Sequence, residues 1–276
     1  MPEQRDGRLR FLRRGADPRR NRLRRGVYLL PGLLTMGNMF CGYACVVYAM
    51  RGEYATAAPF IGFAFIVDGL DGRIARLTNT TSESGVEFDS LADIISFGIA
   101  PAILSFAWGL QSLGRLGWAA GFMFVAAAAM RLARFNIQSS GGGDKRYFVG
   151  MPSPAAAGVV AATVFAFPSG LNDYRAALPA LAMVLVPAAL MVSTIRFRSF
   201  KTFDSKGRRP YTVLIFVAAG IVAIATHPQW TLVVIAYTYL ASGFIGMAVT
   251  RFKSRAAAPV ADLAQPDADR RDSAAR

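Results

Sequence analysis

The chain has 276 residues, 54% of them hydrophobic and 17% charged, with a formal net charge of +14. Its apolar residues stand in blocks of about 15 to 22, which is bilayer-spanning length and not the short periodic grouping of a soluble core. That pattern excludes a water-soluble globular protein, and it also disfavours a β-barrel, whose strands alternate apolar and polar residues over shorter segments.

The prediction is an all-α polytopic membrane bundle of eight transmembrane helices. Residues 1–26 form a basic N-terminal arm, 27–253 the transmembrane domain and 254–276 a disordered tail. The arm carries ten Arg between Met1 and Arg25 and is read as disordered or interfacial. The apolar block after it is too long for a cleavable signal peptide. In the first half, the predicted spans are Leu29 to Met50, Tyr54 to Arg76, Phe88 to Leu110 and Gly117 to Asn136. The second half gives Pro152 to Pro168, Arg175 to Ile195, Tyr211 to Thr226 and Trp230 to Thr250. Glycines and prolines make the fourth and fifth the least regular.

Lys and Arg favour cytoplasmic loops. With the N-terminus inside, only Arg51, Arg115 and Arg175 of the 31 basic residues fall outside. Both termini are therefore predicted to be cytoplasmic, in the cell (inner) membrane. The positive charge then reflects topology and attraction to anionic headgroups, roughly 1 kcal/mol per basic residue near the surface, and requires no nucleic acid. Cys41 and Cys45, one helical turn apart in the first span, read as packing residues. The sole histidine, His227, falls in an outside turn beside Pro228 and is not expected to ligate a metal or act as a base.

One stretch breaks the apolar pattern. VDGLDGRIARLTNTTSESGVEFDSLAD, from Val67 to Asp93, sets Asp68 and Asp71 at the cytoplasmic end of the second span. Asp89 and Asp93 open the third. Spacings of three and four residues put each pair on one helix face, and the short polar turn TNTTSESG makes the helices antiparallel neighbours, so the acidic faces meet. The apolar run before Asp68 is only about 14 residues and that after Asp93 about 17. Neither fills a roughly 30 Å hydrocarbon layer at 1.5 Å per residue, so each helix is predicted to continue through its aspartates. A single Asp at a helix centre costs about 2.5–3.5 kcal/mol, and four together require compensation. Arg73 and Arg76 are candidates, but a pair of hard divalent ions, Mg²⁺ or Mn²⁺, suits an all-oxygen set better. Two such ions are a recurrent device for phosphoryl transfer. Gly69, Gly72 and Gly85 leave room for a ligand's close approach. Taken singly, each aspartate also reads as a helix cap or a partner for a basic loop.

The stretch resembles the signature of the CDP-alcohol phosphotransferase family: D-x-x-D-G-x-x-A-R, a spacer, then G-x-x-x-D-x-x-x-D. Asp68, Asp71, Gly72, Ala75, Arg76, Gly85, Asp89 and Asp93 fill every fixed position. The resemblance implies that Asp68, Asp71 and Asp89 are metal ligands, that Asp93 is both ligand and general base, and that Arg76 contacts the diphosphate. It further implies that Gly72 and Gly85 admit the cytidine nucleotide, with Asp68 and Ala75 beside it, and that the enzyme is a homodimer. Asn38 reads as a contact for the cytidine or for a metal-site aspartate, or as an inter-helix hydrogen bond.

Further stretches, LLPGLLTMGNMFCG at 29–42, DSLADIISFGIAPA at 89–102 and RLARFN at 131–136, resemble the phosphatidylserine synthase branch of that family. The implied substrates are CDP-diacylglycerol and L-serine. Serine's carboxylate asks for a planar guanidinium, and Arg131, Arg134 and Asn136, level with the aspartates, are the candidates. The two arginines also read as ordinary inside-flank anchors. Lys145 and Arg146 either meet a lipid phosphate or mark the inside face. The alternatives are a relative accepting glycerol-3-phosphate or inositol phosphate, which needs a larger basic pocket, and a transporter, which places its charges mid-span.

Overall fold

The computed structural model describes residues 18–78, 83–140, 147–193, 196–198 and 210–257. A helical rod stands in the place of each of the eight predicted spans. α1 (Pro18–Met50) and α2 (Tyr54–Thr78) form an extensively packed antiparallel hairpin. α3 (Glu83–Ile94), a π-helical turn (Ile95–Ile99) and α4 (Ala100–Trp108) make one continuous rod. A 3₁₀ turn at Leu110–Leu113 leads into α5 (Arg115–Ser140). α6 (Ser153–Ala166), α7 (Tyr174–Val192), α8 (Pro210–Thr226) and α9 (Pro228–Ala257) follow.

Among the described residues, five segments are long and apolar enough to cross a membrane: Leu30–Met50, Tyr54–Thr78, Ser84–Trp108, Arg115–Gln138 and Tyr174–Val192. The second and third run unbroken through the aspartates, as their short apolar runs require. α6 is shorter, and its position explains its composition. It is apolar all round because it is enclosed by α2, α7 and α9, burying Val159, Val160 and Val164. Phe97, Leu104, Phe124 and Ile61 complete the core around it.

The sequence expectation is modified in three places. α1 begins at Pro18, so residues 18–25 of the basic arm continue the helix, with proline suited to a first helical turn. α9 runs to Ala257, past the expected domain end at 253. The bundle is also not purely helical: β1 (Tyr147–Val149) pairs antiparallel with β2 (Arg196–Arg198), in the register Phe148↔Phe197. The segments after α5 and α7 leave the bundle at the same end, so their backbone groups can satisfy one another. Gly150, at φ 86°, turns β1 into α6 where a Cβ would stand 2.5 Å from the Met191 carbonyl oxygen. Residues 1–17 of the arm, 258–276 of the tail, and Lys145 and Arg146 lie outside the described residues.

Candidate active site

α2 and α3 bring the four aspartates together. Carboxylate oxygens of Asp68, Asp71 and Asp89 all lie within 4.8 Å of one another. Asp71 is only 4% exposed, whereas Asp68 and Asp89 are half-buried. Asp93 completes the group, its side chain within reach of Asp68 and facing Asp89 and Asp71 as well. Negative charge thus faces negative charge throughout the cluster.

Asp89 Oδ1 is buried with no hydrogen-bond partner. Leaving a buried acceptor unmade costs about 1–3 kcal/mol, and more for a charged group. An all-oxygen donor set with such an orphaned oxygen fits a hard divalent cation. Arg73 and Arg76, the candidates for compensation by the protein itself, are exposed. It is the Arg131 guanidinium, on α5, that faces Asp93 and Asp68.

α1 forms a third wall. Thr35 Oγ1 donates to Asp71 Oδ2 at 3.3 Å, sharing its hydrogen with the Pro31 carbonyl at 3.1 Å. Asn38 Nδ2 donates to Asp93 Oδ1 at 3.3 Å. Ser96 Oγ, in the π-turn, donates to the Asn38 backbone carbonyl at 2.9 Å. The Asn38 bond is at once one to an aspartate and one between helices, α1 to α3.

The face of α2 beside the carboxylates is open. A Cβ at Gly69 would meet nothing within 4 Å, and one at Gly72 only Arg76 Nη2 at 3.8 Å. Arg76 is exposed and folds back along its own helix, Nε donating to the Gly72 carbonyl at 2.7 Å. Ala75 is half-buried, one turn beyond Asp71, and Gly85 is exposed near the start of α3.

The predicted acceptor trio does not stay together. Arg131 lies over the Phe135 ring and donates through Nη1 to Ser153 Oγ at 3.1 Å, while facing the carboxylates. Arg134 turns to the end of α7, where Nη1 donates to the Val192 carbonyl at 3.2 Å, a favourable place for a cation. Asn136 Nδ2 donates to Ser90 Oγ at 2.9 Å, tying α5 to α3 beside Asp89.

Sequence reasoning missed Thr35, Ser96, Ser153 and Tyr239, which interacts electrostatically with Arg131 from α9. A signal existed for two of them. Thr35 is three residues before Asn38, and Ser96 three after Asp93, so each shares a helix face with a residue already singled out.

Residues 28–195 match the CDP-alcohol phosphatidyltransferase family. The chain belongs to this family. It is 38% identical over 224 residues to the CDP-diacylglycerol–serine O-phosphatidyltransferase of Helicobacter pylori (strain ATCC 700392 / 26695), covering 79% of this chain and 91% of the relative. A protein of the same name from Mycobacterium leprae (strain TN) is 32% identical over 231 residues, 80% of this chain and 76% of the relative. A third, from Saccharomyces cerevisiae (strain ATCC 204508 / S288c), is 37% identical over 153 residues, 50% and 54% of the two chains. The CDP-alcohol phosphatidyltransferase match runs from within α1 to just past α7 and includes all four aspartates and Arg131. α8 and α9 lie beyond it.

Proposed function

We propose that this CDP-alcohol phosphatidyltransferase moves the phosphatidyl group of CDP-diacylglycerol onto the hydroxyl of L-serine, releasing CMP and forming phosphatidylserine. The observation that carries the reading is a cluster of four carboxylates, one oxygen of it orphaned, with the Arg131 guanidinium facing it. The names and identities of the relatives support serine as the acceptor.

Serine Oγ attacks the phosphorus nearer the lipid, the bond from that phosphorus to the CMP oxygen breaks, and the hydroxyl proton passes to Asp93. No covalent enzyme intermediate is needed. Asp68, Asp71, Asp89 and Asp93 would hold two divalent ions, Mg²⁺ or Mn²⁺, whose charge offsets that developing on the diphosphate oxygens. Arg131 binds the serine carboxylate. Its guanidinium has five N–H donors, so the bond to Ser153 leaves enough for two-point recognition. Gly69 and Gly72 leave the α2 face free for the nucleotide, and Arg76, beside Gly72, is available to the diphosphate.

The enzyme spans the inner membrane eight times, with both termini and the site on the cytoplasmic side, a reading supported by the distribution of Lys and Arg. A homodimer belongs to the same proposal on family resemblance alone. Radiolabelled serine, glycerol-3-phosphate and inositol phosphate, each supplied separately with CDP-diacylglycerol, test the acceptor. Label should enter lipid from serine alone, and efficient labelling from either phosphate would overturn the assignment.

A further inference from the structure

We infer that α1 is the positioning wall of this site, Thr35 orienting the Asp71 carboxylate for metal ligation and Asn38 orienting the Asp93 carboxylate for proton removal. The inference rests on the roles proposed above for those two aspartates.

Both side chains are enclosed within an apolar span, Thr35 5% exposed and Asn38 fully buried. Polar groups at such depth persist where they are bonded or functional. Each reaches a different carboxylate. Thr35 Oγ1 is 3.3 Å from Asp71 Oδ2, and Asn38 Nδ2 is 3.3 Å from Asp93 Oδ1. A carboxylate accepts only, so the amide must present its nitrogen. Neither residue carries charge, so each can fix a carboxylate without competing with a cation for it.

Asn38 is held from behind, its backbone carbonyl accepting from Ser96 Oγ at 2.9 Å. Its own Oδ1 is buried with no partner. A purely structural inter-helix bond would leave no such acceptor, since buried amide groups are normally satisfied. An open acceptor beside the base belongs to a site completed by something the protein does not supply. Gly42, one turn further along α1, sets the separation, because the helix there lies directly against the Ser96 backbone. The polar wall is thus fastened at a fixed height against the two helices that carry the aspartates.

The test uses the full chain in detergent and separates the two roles. Mn²⁺ binding is read by electron paramagnetic resonance without substrate. Thr35→Val, which keeps shape and loses the hydroxyl, should weaken binding by about tenfold or more, in line with the usual cost of losing a partner behind a metal ligand. Thr35→Ser should restore it. Asn38→Leu, nearly isosteric, should lower kcat by about 10–100-fold while KM for CDP-diacylglycerol stays near the parent value. Unaltered Mn²⁺ binding in Thr35→Val, or equally weak binding in Thr35→Ser, overturns the first role. A raised KM for CDP-diacylglycerol with kcat preserved overturns the second and makes Asn38 a nucleotide contact. If either apolar variant fails to fold, Thr35→Ala and Asn38→Ala carry the same outcomes. Asp93→Asn separates the two levels. If it retains turnover, the base assignment fails. If it is inactive while Asn38→Leu is unaffected, only the positioning role of Asn38 fails.

Discussion

Adding one methyl group at Gly42 should disable the enzyme from outside its signature motif. A Cβ there would stand 2.7 Å from Ser96 Oγ, 2.8 Å from Ser96 Cα and 3.1 Å from Ser96 N. Carbon atoms rest about 3.5–4.0 Å apart, so α1 and the π-turn must separate by about 0.7–1.2 Å. Two of the three obstacles are backbone atoms, so a rotamer change cannot relieve the clash. The separation falls one turn from Asn38, whose bond to Asp93 is already 3.3 Å long. Lengthening it to about 4 Å removes it, since hydrogen bonds fade beyond roughly 3.2–3.5 Å. Gly42→Ala should therefore lose about 1–3 kcal/mol of stability by overpacking. It should also lose up to about 100-fold in kcat, the usual consequence of a 1 Å misplacement, with KM for CDP-diacylglycerol little changed. Gly117→Ala is the control. Its Cβ would run into the Leu110 carbonyl oxygen, about 20 Å along α5 from Arg131 at 1.5 Å per residue. It should cost stability while the folded fraction keeps its kcat. Thermal aggregation and steady-state kinetics in detergent measure both quantities. A parental kcat in Gly42→Ala, or equal kinetic losses in the two variants, would refute the reasoning.

Other consequences can be measured directly. Dialysis against EDTA should abolish turnover, and Mg²⁺ or Mn²⁺ should restore it; full activity in excess chelator contradicts the acidic cluster's role. Asp93→Asn should leave CDP-diacylglycerol affinity largely intact and reduce turnover by about 10²–10⁴-fold, the usual cost of removing a general base. Arg131→Lys keeps charge but loses the planar fork, so KM for serine should rise by about tenfold or more, the loss of one charge-assisted bond, without a matching change for CDP-diacylglycerol. On a background lacking Cys41 and Cys45, cysteines replacing Thr80 and Ser82, both outside the described residues, should react with an impermeant thiol reagent from the cytoplasmic side alone. Labelling from outside would invert the topology.

The aspartate cluster was legible because its geometry is local. Spacings of three and four residues fix a helix face, and a short polar turn makes the two faces meet whatever the rest of the bundle does. The π-turn was not legible: ISFGI reads as ordinary apolar helix, and nothing in those side chains announces a widened ladder. Pro101, which has no N–H to give, lies just beyond it. Arg131 and Arg134 were indistinguishable in sequence, since both sit on the same helical flank three residues apart. Packing divides them. The unsatisfied carbonyls at the end of α7 take Arg134, and the position of α6 gives Arg131 its bond to Ser153. The β1–β2 ribbon joins segments about 50 residues apart, a pairing that no local pattern encodes.

On the proposed function, these placements divide the site into two halves with different chemical duties. α1, α2 and α3 surround the carboxylates and the open glycine face, where the diphosphate is proposed to lie. α5 and α6 supply Arg131 and Ser153 on the opposite side, and α9 joins them. α9 packs on α6, with the hydroxyls of Thr163 and Tyr237 3.0 Å apart, and its Tyr239 interacts with Arg131. The donor half handles a nucleotide diphosphate, which is the same whatever alcohol is to be esterified. The acceptor half must recognise the alcohol, and it draws on a helix beyond the stretch matched to the family. Asp93 stands between the halves, bonded to Asn38 on one side and faced by Arg131 on the other. That is where the proposed base must stand to take a proton from an acceptor held by one half while its oxygen attacks a phosphorus held by the other.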